Sequence, residues 1–146
     1  MRSGRLIVSI AMLLMAVSCS ACWDVAAEKY GINPYLLYAI AKTESGLNPL
    51  ARNHNRNGSV DIGLMQINSA WFPTLRKFGL DEQQLLDPCT NLQVGAWILA
   101  QNMRRLGNSW NAVGAYNASK PDIRLRYALK VYKNLPPGLI AANEGQ

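Results

Sequence analysis

Apolar positions recur along most of this chain at helical spacing, interrupted once by a polar stretch near residue 55. Asp24 to Tyr30 predicts a short helix ended by Gly31. Asn33-Pro34 is a start signal, an N-cap followed by proline at the first helical position. Tyr35 to Glu44 is then predicted as a largely buried helix, stopped by Gly46 and the Asn48-Pro49 pair. Residues 51–62 break the pattern: Asn53, Asn55, Asn57-Gly58 and Ser59 predict a polar loop or a tight hairpin. Ser69 to Phe78 predicts a helix with proline in its first turns, and Asp81 to Leu86 one or two helical turns. Asn91 to Leu106 is the longest predicted helix, with Leu92, Ala96, Leu99, Met103 and Leu106 forming one stripe. Ser109 caps a short helix through Asn117, and Asp122 an amphipathic one through Asn134. The expected fold is mainly α, with at most a small β-hairpin near residue 60.

Length narrows this further: 146 residues fit one compact domain, and the charged fraction of 16% is too low for disorder. The ends stand apart from the core. Arg2 and Arg5 precede an apolar run from Leu6 to Val17 and then the small residues Ser18 to Ala21, which is the layout of a secretory signal with cleavage after Ala21. The run falls short of the roughly 20 residues that a spanning helix needs. An uncleaved anchor, or lipid attachment at Cys19, are the alternatives. The expected organisation is a signal peptide over residues 1–21, a domain over 22–135 and a loose tail over 136–146, with the protein exported to the periplasm.

Cysteine usage agrees with export. Cys19 would leave with the signal, and the two remaining cysteines, Cys22 and Cys89, would pair in an oxidising compartment. Closing the loop between them is worth about 3–5 kcal/mol in the chain-entropy account. Two cysteines and the single His54 do not make a zinc site, and neither metal nor cofactor is expected. Loss of Arg2 and Arg5 lowers the net charge from +6 to +4. The remaining basic residues are scattered, with no aromatic-basic platform, so nucleic acid is not an expected partner. The positive charge suits an anionic wall or membrane surface, and a solvated helix face equally well.

Two carboxylates are candidates for chemistry. Leu37, Ile40 and Glu44 follow i, i+3, i+7 spacing, so the Glu44 carboxyl continues an apolar stripe. Burial against apolar groups disfavours ionisation and raises a carboxyl pKa toward the value a general acid needs near neutrality. The alternative is a helix-terminal glutamate that turns to solvent before Gly46. Asp61 follows the Asn57-Gly58 turn and precedes Ile62-Gly63-Leu64-Met65-Gln66-Ile67-Asn68. It is either a second active carboxylate or a residue that caps that turn.

Thr43-Glu44-Ser45-Gly46, Gly63-Leu64-Met65-Gln66-Ile67-Asn68 and Ala115-Tyr116-Asn117-Ala118 occur in that order. Together they resemble the three motifs of the soluble-lytic-transglycosylase-like domain, a lysozyme-superfamily fold that cleaves peptidoglycan. The resemblance runs from about Cys22 to Leu135. It is nearest to the small members that accompany type III secretion, type IV pilus and conjugation machines, which are the partners it implies beside the glycan strands. It implies Glu44 as the acid/base, with Ser45, Met65, Gln66, Tyr116 and Asn117 binding substrate. In such enzymes the glutamic acid protonates the oxygen between N-acetylmuramic acid and N-acetylglucosamine. The sugar's 6-hydroxyl then closes on the anomeric carbon, leaving a 1,6-anhydro end. Ser119 departs from the glycine more usual after this alanine. The segment from Asn57 to Ser69 is also similar to the active-site hairpin of animal-type lysozymes, where an aspartate stands at the place of Asp61, 17 positions after Glu44. That likeness adds hydrolysis through Glu44 and Asp61 as an alternative. A glycan-binding scaffold without catalysis is a further one, although such a module would have no need of a carboxyl on the Leu37-Ile40 stripe.

Overall fold

The computed structural model describes residues 21–137. The expected signal segment, apart from Ala21, and the tail beyond Pro137 lie outside the described residues. Helix α1 covers residues 21–30, longer than the predicted Asp24–Tyr30, and stops at Gly31, whose φ of 63° is left-handed. Helix α2 is Pro34–Ser45, one residue longer at each end than predicted. Its start is built as its sequence implies: Asn33 accepts the Tyr35 N–H at 2.9 Å and Pro34 opens the first turn. Gly46 ends it in the left-handed region, its N–H bonding back to Lys42 and Ala41. Leu37, Ala39, Ile40 and Ala41 are fully buried.

The polar stretch forms more sheet than expected. Strands β1 (Arg52–His54) and β2 (Val60–Ile62) make the antiparallel hairpin, with Asn53 opposite Asp61. Asn57 Oδ1 accepts the Ser59 N–H at 3.0 Å inside its turn. A third strand, β3 (Ile67–Asn68), pairs with β2, setting Asp61 opposite Asn68 and Ile62 opposite Ile67. Two residues are too few to show alternation, which is why only the hairpin is legible in the sequence. Between β2 and β3 the chain makes a tight turn through Gly63 (φ 78°) and Gln66 (φ 50°), closed by Gln66 N–H to Gly63 carbonyl at 3.1 Å.

The helix predicted over Ser69–Phe78 is shorter and divided. A 3₁₀ turn, Ser69–Trp71, is capped by Asn68 and leads into α3, Phe72–Arg76. Another 3₁₀ turn, Gln84–Leu86, precedes α4, Pro88–Leu106. α4 begins three residues before the predicted Asn91, because Asp87 caps it, accepting the Thr90 N–H at 2.7 Å, and Pro88 occupies its first position. Ser109 caps α5, Trp110–Gly114, which ends before the predicted Asn117. α6 is Pro121–Lys133, and Asp122 lies in its first turn rather than at its cap, since Pro121 already holds the first helical position. Cys22 of α1 and Cys89 of α4 are joined as a disulfide, their Cα atoms 5.5 Å apart. No helix of the described residues is long and apolar enough to cross a membrane.

The core gathers around α4, which buries Leu92, Val94, Ala96, Ile98 and Leu99 and so presents more than one stripe to its neighbours. Leu37 and Ile40 from α2, Ile62 and Ile67 from the sheet, Met65 from the turn and Val131 from α6 join it. Gly95 lets Met65 in: a Cβ there would lie 2.8 Å from the Met65 side chain. Asn91 is polar yet fully buried among them. Its Oδ1 accepts the Met65 N–H at 2.7 Å, and its Nδ2 donates to the Ile62 carbonyl at 2.9 Å and the Leu85 carbonyl at 2.8 Å. Asn91→Leu removes one hydrogen bond from each of three buried backbone groups, at about 1–3 kcal/mol for each left unsatisfied. The variant is expected to melt at least about 10 °C below wild type. A thermal melt within about 2 °C of wild type would show that the amide is dispensable.

Candidate active site

Five of the residues singled out in the sequence meet at one cavity of about 470 Å³: Glu44, Asp61, Gln66, Tyr116 and Asn117. Glu44 comes from the last turn of α2, Asp61 from the middle of β2, Gln66 from the turn before β3, and Tyr116 and Asn117 from the chain just after α5. The hairpin turn adds Asn55, Arg56, Asn57 and Ser59, and β3 adds Asn68.

Glu44 is only partly open to solvent. Burial is the main influence on its carboxyl and pushes the pKa up to about 7 from the ordinary 4.5. The Tyr127 hydroxyl, donating to Glu44 Oε1, pulls it down; the nearby Asp61 charge pushes it up; and Lys130 pulls it down. Burial wins, so near neutral pH the group is present in both forms and can give up and take back a proton. Tyr127 itself is buried on α6, and burial first, with the Glu44 charge second, holds its hydroxyl far above the range in which it would ionise. It remains a donor. Neither it nor Lys130 is singled out by the sequence alone, because both fit an ordinary amphipathic helix.

Asp61 is held by amides. Asn55 Nδ2 donates to its Oδ2 at 2.8 Å, Asn53 Nδ2 to the same oxygen at 3.4 Å, and Asn68 Nδ2 to Oδ1 at 2.7 Å. The turn at residues 57–59 is capped by Asn57, so capping is not the work of Asp61. Cross-strand pairing supplies two of these partners, since Asn53 and Asn68 are the residues registered on either side of Asp61.

Ser45 and Met65 are not among the residues that line this cavity. The Ser45 hydroxyl donates to the Leu64 carbonyl at 2.7 Å, tying the end of α2 to the turn. The Met65 side chain is fully buried against Gly95, and its carbonyl accepts the Tyr116 hydroxyl at 2.8 Å. Both position the wall of the cavity instead of facing it. Gln66 Nε2 donates to the Ala51 carbonyl at 3.2 Å and the Gly63 carbonyl at 3.0 Å, which secures the turn while leaving Gln66 in the lining. Tyr116 is desolvated and faces the Glu44 and Asp61 charges, both of which keep its hydroxyl protonated. His54 is exposed on β1, and among the described residues no three His, Cys, Asp or Glu side chains gather as a metal site.

The site thus sets one carboxyl that titrates near neutrality across from another that is fixed by neutral donors, inside an open cleft. Comparison with known proteins gives the arrangement a family. Residues 21–133 match the transglycosylase SLT domain. The chain is 48% identical over 133 residues to invasion protein IagB of Salmonella typhimurium, covering 88% of this chain and 83% of that one. It is 45% identical over 117 residues to protein IpgF of Shigella sonnei, covering 77% of each. Among solved structures it resembles an inactive mutant of lytic transglycosylase Slt from Pseudomonas aeruginosa, with a TM-score of 0.63 and 26% identity over 79% of this chain. That match spans 23% of the larger Slt chain. A lysozyme-like helical body, the cleft between its sheet and its last helices, and a match over nearly all of the described residues agree: the chain belongs to the SLT-domain family and is a peptidoglycan lytic transglycosylase.

Proposed function

We propose that this protein acts in the periplasm on the β-1,4 bond between N-acetylmuramic acid and N-acetylglucosamine, with Glu44 as both acid and base, to open the wall for a secretion or pilus apparatus. The observation that carries the reading is the Glu44 carboxyl, set in the cleft with a pKa near 7. Protonated Glu44 gives its proton to the glycosidic oxygen as the bond to the anomeric carbon breaks. The resulting carboxylate accepts the proton of the 6-hydroxyl as that oxygen bonds to the anomeric carbon. Glu44 ends as it began, and no water enters the products. Tyr127 donates to Glu44 and stabilises the carboxylate between the two steps. The apparatus is supported by the motif resemblance and by the relative named as an invasion protein. Export accords with the Cys22–Cys89 bridge.

A second reading, hydrolysis, draws on Asp61. Its carboxylate lines the same cavity, immobilised by three asparagine amides, and could steady or trap positive character at the anomeric carbon. Digestion of purified sacculi followed by mass spectrometry of the sugar ends separates the two, since anhydro ends mark the lyase and reducing ends the hydrolase.

Glu44→Gln is expected to remain folded and to lose at least about 10²–10⁴ in cleavage rate, because an amide neither supplies nor recovers the proton. Near-normal turnover by the folded variant would falsify the assignment. The pH profile gives a second check. The acid step needs the protonated carboxyl, which is the majority form below its pKa and is lost above it. So kcat/KM should fall by about tenfold per pH unit above pH 7. A profile flat from pH 6 to 9 would exclude Glu44 as the titrating acid.

Asp61→Asn tests the second carboxylate. Two unit charges about 5 Å apart at an effective dielectric of about 20 interact by roughly 3 kcal/mol. If between half and all of that is expressed only in the transition state, cleavage slows by about 10- to 100-fold with an unchanged melt. An unchanged initial rate would leave Glu44 working alone.

A further inference from the structure

A second cavity, of about 1030 Å³, adjoins the first; Asn68, Tyr116 and Asn117 line both. The two differ in charge. The smaller holds both carboxylates and one arginine, Arg56, whereas the lining of the larger contains Arg104, Arg105 and Arg124 and no acidic residue. Arg104 and Arg105 are exposed in the last turn of α4. Arg124 is committed to the frame: its Nε donates to the Ala118 carbonyl at 3.0 Å and its Nη1 to Asn111 Oδ1 at 3.4 Å, holding the chain that follows Asn117. Trp71, packed edge-on against Trp97 at 5.3 Å, supplies an apolar wall.

Asn102 is the telling residue. It lines this groove yet is only 8% exposed. Its Oδ1 accepts from Arg105 Nη2 at 3.2 Å, which fixes which end of the amide is oxygen. Its Nδ2 is buried and has no hydrogen-bond partner among the described residues. A buried N–H left unpaired is unfavourable, and this one belongs to the side chain whose oxygen holds the exposed Arg105 guanidinium at the groove. The guanidinium groups of Arg104 and Arg105 give the groove donors and positive charge together, the pattern that a planar carboxylate satisfies.

The geometry points to this groove as a site for the carboxylates of the peptide stems that branch from the glycan, so that the enzyme prefers strands carrying free stem carboxylates. The inference rests on the glycan-cleaving function proposed above and adds to it a substrate class. In a peptide-bearing strand the N-acetylated sugars are neutral and the lactyl groups are engaged as amides. The negative charge resides on the stems. A glycan seated at Glu44 and running past Asn117 would carry its stems alongside Arg104 and Arg105.

The test compares native peptidoglycan strands with the same strands whose carboxyls have been blocked as methylamides by carbodiimide and methylamine. Wild type should cleave native strands about three- to tenfold faster, as expected for one or two partly exposed charge pairs, and the ratio should shrink as salt rises. Arg104→Gln/Arg105→Gln should bring the ratio close to one. Arg104→Gln alone, which keeps the Arg105–Asn102 bond, should reduce it in part. Arg76→Gln/Lys77→Gln removes the same charge from an exposed site outside the groove and should leave the ratio as in wild type. A ratio near one in wild type, or an equal loss in this control, would overturn the inference. Should wild type cleave neither substrate, the catalytic reading fails. The groove is then judged by the affinity of the Glu44→Gln protein for native against blocked soluble strands: a preference lost in Arg104→Gln/Arg105→Gln upholds it, and no preference refutes it.

Discussion

One buried amide holds the site together. Asn91 reaches from the first turn of α4 into the apolar core and satisfies the Ile62 carbonyl, the Leu85 carbonyl and the Met65 N–H. A polar group with all its bonds made is nearly neutral for stability but specific in geometry, because any displacement leaves donors or acceptors unpaired in a medium that cannot replace them. The approach is so close that a Cβ at Gly63 would lie 2.3 Å from the Asn91 amide nitrogen. That contact and the left-handed φ both require glycine at this position. Once the turn is set, its dependents follow. Met65 drops into the space over Gly95, its carbonyl receives Tyr116, and Gln66 is left at the cavity wall.

Around Glu44 the competing influences are strong and opposed. Moving a carboxyl pKa from 4.5 to about 7 corresponds to a preference for the neutral form on the order of 3 kcal/mol. Desolvation and the neighbouring Asp61 supply it against the Tyr127 hydroxyl and Lys130. Asp61 instead has three side-chain amides on its carboxylate, neutral dipoles that add no counter-ion to offset the field it exerts on Glu44. The two carboxylates differ in environment rather than in kind, and the difference is what makes distinct roles available to them.

Most of the fold was legible because its signals are local. Asn33-Pro34, Ser109 and the Asn57-Gly58 turn each encode their element within a few residues, and the structure uses all three. The Glu44 stripe was legible for the same reason. What escaped is long-range. Asn91 reads as the polar start of a helix, and only its contacts 26 and 29 residues back reveal a structural hub. Tyr127 meets Glu44 across 83 positions. Asn53 and Asn68 acquire meaning only through strand register. Ser45 and Met65 stand out in the sequence only through their motifs, and their bonds to Leu64 and Tyr116 come from 19 and 51 positions away.

Ser45 shows how that wall acts on the chemistry. Glu44 sits between two residues that bond in different directions. Thr43 Oγ1 accepts Asn134 Nδ2 at 3.0 Å, fastening α2 to the end of α6, while Ser45 Oγ fastens it to the turn at Leu64. Gly114 brings α5 and α6 together so closely that a Cβ there would lie 2.5 Å from the Arg124 carbonyl oxygen. The helix that carries Tyr127 is thereby held in place at both ends, and the carboxyl it contacts is anchored on both sides. A group that must donate and recover one proton gains rate from not having to reorganise between the two steps. The same fastening explains how a glutamate one residue from the end of its helix, where side chains commonly turn to solvent, stays in the cleft.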